Sequence, residues 1–269
     1  MEPRPDWAPE SVDAELPSAA RIYDYLLGGS HNFAADREVA HRAIAAMPDV
    51  PVQAQANRAF LRRAVQHLSG LGVRQFLDIG SGIPTLGNVH EVAQGISADA
   101  RVVYVDLDPV AVAHGRAILA AEDRTAVIQE DLRHPDGILG HPDLRGVLDL
   151  GRPVAVLLMA ILHVIPDVDD PCGIAARLRD PLVPGSYLAI AHGTHESRPA
   201  EVEELRRLSE KTATPMTLRS RVEIARFFAG WELVEPGLVW APEWHPDSPE
   251  DVGAHPERSS NLVGVGCKP

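Results

Sequence analysis

Residues 76–82 read Phe-Leu-Asp-Ile-Gly-Ser-Gly, a short apolar strand that runs into Asp78 and then a turn carrying Gly80 and Gly82. Such a turn needs glycine because the backbone must adopt positive φ and admit a ligand with no Cβ in the way. From residue 73 onward, apolar runs of strand length alternate with helical stretches, the pattern of a parallel sheet covered on both faces. Strands are expected at 75–79, 102–105, 126–129, 154–159 and 186–191. Helices are expected to open at Asn88, through a capping box with Glu91, at Pro109 and at Asp170. Two more helices, near 200–211 and 220–228, precede two last strands near 231–234 and 262–266. No helix pattern separates that last pair, which predicts antiparallel pairing at a sheet edge. The expectation is an α/β fold: a doubly wound, mostly parallel seven-stranded sheet with an antiparallel last strand.

Before residue 71 there is no strand pattern. Residues 1–16 are rich in Pro and acid and are expected to be mobile. A helix follows from Ser18, its expected N-cap, to Gly28-Gly29; a second runs from Asp36 to Ala46, ended by Pro48 and Pro51. A third covers 53–71, with Phe60, Ala64 and Leu68 as its apolar stripe. The chain therefore divides into an N-terminal tail and helical cap, 1–70, and the sheet domain, 71–269. A net charge of −13 disfavours nucleic acid as a partner. The two cysteines, Cys172 and Cys267, form no disulfide or metal pattern, and the start of the sequence lacks a signal peptide, so a cytoplasmic location is expected. The longest apolar run, 154–162, is too short for a membrane span.

In an open parallel sheet, ligands bind outside the carboxyl ends of the strands. A dinucleotide loop cradles phosphates, which Asp78 at its mouth would repel; a cationic ligand would be attracted. S-adenosylmethionine carries an ammonium, a sulfonium and no phosphate. Asp106, at the end of the second strand, is placed to accept both hydroxyls of a ribose. Asp131, after the third, could accept from an adenine amino group while Leu132 packs on the ring. With Gly80, Ser81, Gly82, Leu107 and Ala160, these residues make up the expected cofactor site. Blander roles stay open: Asp78 as a loop brace, Asp106 as a helix cap before Pro109, Asp131 as a plain loop carboxylate. Candidates facing a substrate are Tyr23, Tyr25, His31 and Asn32 around the Gly28-Gly29 helix end, His163 after the fourth strand and His192 after the fifth. No base is singled out among His163, His192 and Tyr23, and the His192/His195 pair in His192-Gly-Thr-His195-Glu196 lacks a third ligand at metal spacing.

The sequence resembles the S-adenosylmethionine-dependent methyltransferases of the seven-stranded Rossmann-like class. More narrowly, it is similar to a bacterial methyltransferase family formerly described as a domain of unknown function. That likeness rests on residues 21–36 (Arg-Ile-Tyr-Asp-Tyr-Leu-Leu-Gly-Gly-Ser-His-Asn-Phe-Ala-Ala-Asp), on 78–91 and on Tyr104-Val-Asp-Leu-Asp-Pro109. It implies S-adenosylmethionine as cofactor and methyl transfer, here to an unidentified acceptor expected to be a small molecule. One departure is visible: Ile83-Pro84 stands where a third small residue follows in the general pattern, so the loop after Gly82 takes another path. Two rival classes share the glycine turn: a nicotinamide-dependent oxidoreductase, and a non-catalytic protein that binds S-adenosylmethionine without a methyl acceptor.

Overall fold

The computed structural model describes residues 8–9, 12–84, 87–210, 212 and 214–269. Three helices come first: α1 (Ala19–Leu26), α2 (Ala34–Ala46) and α3 (Val50–Gly70). Strand and helix then alternate through β1 (Gln75–Ile79), α4 (Val89–Ile96), β2 (Arg101–Asp106), α5 (Pro109–Ile118) and β3 (Thr125–Gln129). Two short helices, α6 (Pro135–Gly140) and α7 (Pro142–Val147), lead to β4 (Ala155–Met159), α8 (Pro171–Arg179) and β5 (Tyr187–Gly193). The chain closes through α9 (Pro199–Ser209), α10 (Arg221–Ala225), β6 (Glu232–Leu233), β7 (Val239–Trp240) and β8 (Asn261–Cys267).

The sheet runs β3-β2-β1-β4-β5-β8-β6, and the two-residue β7 also pairs with β8. β1 to β5 are parallel, while β8 lies antiparallel to β5, β6 and β7. The expected mostly parallel sheet with its antiparallel final pair is therefore present. Strand order reverses between β1 and β4, and a parallel sheet opens its ligand crevice at such a point.

Alternation along the strands sends side chains to two apolar layers. Leu77, Val103, Val105 and Leu158 share one layer with Ile138, Leu178 and Phe227. Phe76, Val102 and Leu157 share the other with Phe60, Ala64 and Leu68 of α3. The apolar stripe of α3 thus packs on the sheet itself, and a boundary at 70/71 passes between two elements of one cluster. α3 is also tied to the last strands: Arg63 donates to the carbonyls of Ala241 and Trp244, and Trp244 meets Phe60 edge-on at 5.3 Å.

Three local expectations change. Pro51 lies in the first turn of α3, where its missing N–H removes no helical bond, and does not end α2. Ser18 makes no side-chain cap; its hydroxyl donates to Asp108 instead. The tail expected to be mobile is anchored from Val12, which is buried with Phe33, Ile83 and Val110. Ile83, the residue after Gly82, gives that anchor its apolar floor. The rest of that expectation, on residues 1–7, 10 and 11, lies outside the described residues, as do Thr85 and Leu86 of the 78–91 stretch. Among the described residues no helix is long and apolar enough to cross a membrane.

Candidate active site at the strand ends

The turn after β1 is built by close approach. Gly80 sits at φ +74, and a Cβ there would lie 2.6 Å from the Ile161 side chain. Its amide and that of Ser81 donate to the Val105 carbonyl, at 2.8 and 3.2 Å, which bolts the turn to β2. Gly82, at φ +68, donates its amide to Asp106 Oδ2 at 2.7 Å. The other Asp106 oxygen accepts the Asp108 amide at 2.8 Å. A carboxylate has about four lone-pair sites, so roughly one acceptor site remains on each oxygen. Asp106 is not the cap of α5. That role belongs to Asp108, which accepts the Val110 amide at 2.8 Å.

Burial pushes the Asp106 carboxyl up to about 6, against the pull of the Asp108 and Gly82 amides. Asp78 is only 3% exposed, and its carboxylate makes no hydrogen bond among the described residues. Burial raises it to about 7, with the Arg58 charge opposing and Asp106 reinforcing the rise. A buried carboxylate without a donor is costly, and it is cheapest when a cationic ligand supplies one.

These groups line one cavity of about 770 Å³, a size suited to a small-molecule site. Gly80, Ser81, Gly82, Asp78 and Asp106 border it, as do Leu107, Asp131, Leu132 and Ala160. Leu107 is half exposed and Leu132 buried, so one apolar side chain stands free beside Asp106 while the other is packed. Ala160 adopts φ +57 at the end of β4, a strained position that brings its backbone to the crevice. Asp131 is already engaged, because Arg133 Nε reaches its two oxygens at 3.0 and 2.9 Å. Burial would raise the Asp131 carboxyl, but the Arg133 bonds win and hold it below the usual range.

Of the substrate candidates, Tyr23 and His163 line the cavity. The Tyr23 hydroxyl donates to the Ala54 carbonyl at 3.0 Å and accepts from Asn57 at 2.8 Å; burial raises its pKa, so it is a poor base. Tyr25, His31, Asn32 and His192 do not line it. Tyr25 bonds to His41 at 2.7 Å on an exposed helix face. The His31 amide and the Asn32 side chain both donate to Asp24, each at 2.9 Å, so that polar cluster folds its own loop. A Cβ on Gly29 would lie 2.1 Å from Asp24 Oδ1, which explains the second glycine. His192 is fully buried between Arg219 and the Gly193 carbonyl. Trp240 and Trp244 do not reach the cavity; Trp244 is buried against α3.

Sequence reasoning missed the hub that joins the helical segment to β2. Arg21, 4% exposed, donates to Asp36 at 2.9 Å and to Asp108 at 3.0 Å, and its guanidinium stacks over Phe33. Asp36 also accepts the amides of Ser18 and Phe33. Arg21 and Asp36 bracket the 21–36 stretch, and that pairing of buried charges was its readable signal. Arg58, which donates to the Gly87 carbonyl, was also missed; it brings positive charge to the Asp78 end of the cavity.

The sequence matches the family model described as S-adenosyl methyltransferase over residues 5–269. No curated protein matches it significantly. Among solved structures, a DUF574 family protein from Streptomyces avermitilis is 45% identical, with a TM-score of 0.92 over 96% of this chain and 99% of that one. A protein from Thermobifida fusca, described as a candidate methyltransferase, is 43% identical, with a TM-score of 0.91 over 98% and 99%. An O-methyltransferase family protein from Burkholderia thailandensis shares the fold at 17% identity and a TM-score of 0.53, over 92% of this chain and 71% of that one.

Proposed function

We infer the function from one premise: the chain belongs to the S-adenosyl methyltransferase family. The reading it supports is S-adenosylmethionine-dependent methyl transfer to a small-molecule acceptor. The observation that carries it is the Asp78 carboxylate, buried at the β1/β4 crevice beside a glycine turn and lacking a donor among the described residues. That environment fits a ligand with a cationic head. Asp78 and Arg58 together offer opposite charges to an amino-acid end, and Asp106 keeps acceptor sites for two ribose hydroxyls. Leu107 and Leu132 supply apolar surface for an adenine. Asp131, held by Arg133, would receive the amino group only through its remaining lone pairs.

S-adenosylmethionine supplies an activated methyl group, so the chain itself needs chiefly to orient the acceptor and exclude water. Tyr23 and the first turns of α3 roof the crevice, and the Arg21 hub holds α1 and α2 over the strand ends. The free cysteines, Cys172 and Cys267, agree with a reducing cytoplasm, and the net charge of −13 disfavours a nucleic-acid acceptor. Calorimetric titration with S-adenosylmethionine, S-adenosylhomocysteine and NAD tests the reading. Micromolar binding of the first two with none of NAD is expected; NAD binding alone would overturn it.

A further inference from the structure

The cavity continues past the cofactor end, and its far walls are of another kind. Val39 and Ala43 of α2, Val202 and Leu205 of α9, and Met216 close it. Among the described residues, α2, α9 and residues 212–218 contribute no charged side chain to the lining. A charged group placed there would lose its water without gaining a counter-charge. An apolar, uncharged body would instead replace water against walls that are mostly aliphatic, with the uncharged hydroxyl residues Ser209, Thr212, Thr214 and Thr217 among them.

His163 stands where the two ends meet, in the turn after β4. Its Nδ1 accepts the Gly193 amide at 3.3 Å. An amide can only donate, so Nδ1 carries no proton, and the neutral ring holds its proton on Nε2. Burial, reinforced by the Arg219 charge, holds the His163 pKa at about 4, so the ring is neutral at physiological pH. No described residue bonds to Nε2. The tautomer is set from behind. Arg219 Nη1 lies 3.0 Å from His192 Nε2, and a guanidinium can only donate, so the His192 proton sits on Nδ1 and bonds to the Gly193 carbonyl at 2.7 Å. Gly193, gripped through its carbonyl, turns its amide to His163.

We propose that this compartment takes an apolar, uncharged acceptor molecule carrying an oxygen that receives a hydrogen bond from His163 Nε2–H. Arg219 and His192 are positioning residues that fix this tautomer through Gly193. His163 therefore holds a proton toward the acceptor and does not remove one. The proposal rests on the strand ends being the S-adenosylmethionine site, which leaves this compartment for the acceptor.

The test titrates naphthalene, 2-acetylnaphthalene and sodium 2-naphthalenesulfonate into the protein, with and without saturating S-adenosylhomocysteine. The ketone only accepts hydrogen bonds, so it reads a donor at His163. It is expected to bind about 3- to 10-fold tighter than naphthalene, the worth of one neutral hydrogen bond, and the sulfonate weakest. His163→Leu should erase the ketone's advantage and leave naphthalene binding intact, whereas a merely structural role would weaken both. Arg219→Met should free the ring to take the other tautomer, visible as a change in the nitrogen chemical shifts of His163. Leu205→Asp, with Met216→Asp as a second variant and a thermal melt as folding control, should weaken both neutral probes at least tenfold and leave S-adenosylhomocysteine affinity unchanged. A sulfonate preferred over naphthalene, or a ketone advantage that survives His163→Leu, would overturn the proposal. So would S-adenosylhomocysteine binding with no neutral probe bound. Probe binding that behaves as expected while S-adenosylhomocysteine fails to bind would instead sink the cofactor reading.

Discussion

The two ends of the cavity are built by opposite means. The end at the strand termini, proposed above for the cofactor, is made of backbone and carboxylates: a turn held to β2 by amides of Gly80 and Ser81, and Asp106 holding the Gly82 and Asp108 amides. The far end is made mostly of aliphatic side chains from α2, α9 and residues 212–218, with the hydroxyl residues Ser209, Thr212, Thr214 and Thr217 among them and His163 at the junction. The first design fixes positions to within a hydrogen bond, so each residue type is nearly forced. The second asks only for apolar volume, which many residues satisfy. On the proposed reading, a fixed strand end with a permissive far end would allow acceptor preference to change without disturbing the cofactor site.

The largest effect is expected at the Arg21 hub, which ties the helical segment over the cavity to the end of β2. Arg21→Met leaves Asp36 and Asp108 buried without their shared cation, and breaking such a pair costs about 3–5 kcal/mol. Urea unfolding should show that loss; a change within about 0.5 kcal/mol would mean that the ends are not coupled through this hub.

Asp78→Asn separates stability from binding. At pH 8 the buried Asp78 is largely ionised without a donor, so its replacement should raise Tm by several degrees while S-adenosylhomocysteine affinity falls about tenfold. A variant that loses both would make Asp78 a loop brace.

A further effect is in pH. The Asp78 carboxyl titrates at about 7 in the fold and near 3.9 when unfolded, so the folded state holds the proton more tightly. Its stabilising contribution is complete below about pH 4 and is lost as pH rises through 7. Asp106, raised to about 6, acts with the same sign. Urea midpoints of the wild type, less those of Asp78→Asn, should therefore decline from pH 5 to pH 8. S-adenosylhomocysteine affinity should rise over the same range if Asp78 must ionise to meet the ligand ammonium.

The same contrast explains what was legible in the sequence. The sheet was readable because alternation and glycine turns are local, and β1 to β5 fall within a few residues of the expected strands. Asp106 and Asp108 both precede Pro109, and spacing alone could not say which caps α5 and which holds the turn. Tyr25, His31 and Asn32 looked like a site because dense polar residues at a helix end serve ligands and loops alike; here Asp24 consumes the His31 and Asn32 donors. His192 looked like a strand-end base, but only the fold reveals Arg219 behind it. The far compartment left no signal, since Val202 and Leu205 carry the periodicity of any amphipathic helix and Leu26, Met47 and Val50, which they meet, lie in the distant N-terminal helical segment.

Calorimetric titration of S-adenosylhomocysteine into wild type and Asp106→Ala bears most directly on the central claim, that the strand ends hold this cofactor. Two charge-assisted bonds at about 1.5 kcal/mol or more each predict a loss of affinity of roughly a hundred-fold or more. Because Asp106 also holds the Gly82 and Asp108 amides, a stability loss of about 1–3 kcal/mol should accompany it, and a thermal melt must show the variant folded at the temperature of titration. Unchanged affinity in a folded Asp106→Ala protein would contradict the account and leave Asp106 as the brace of the glycine turn.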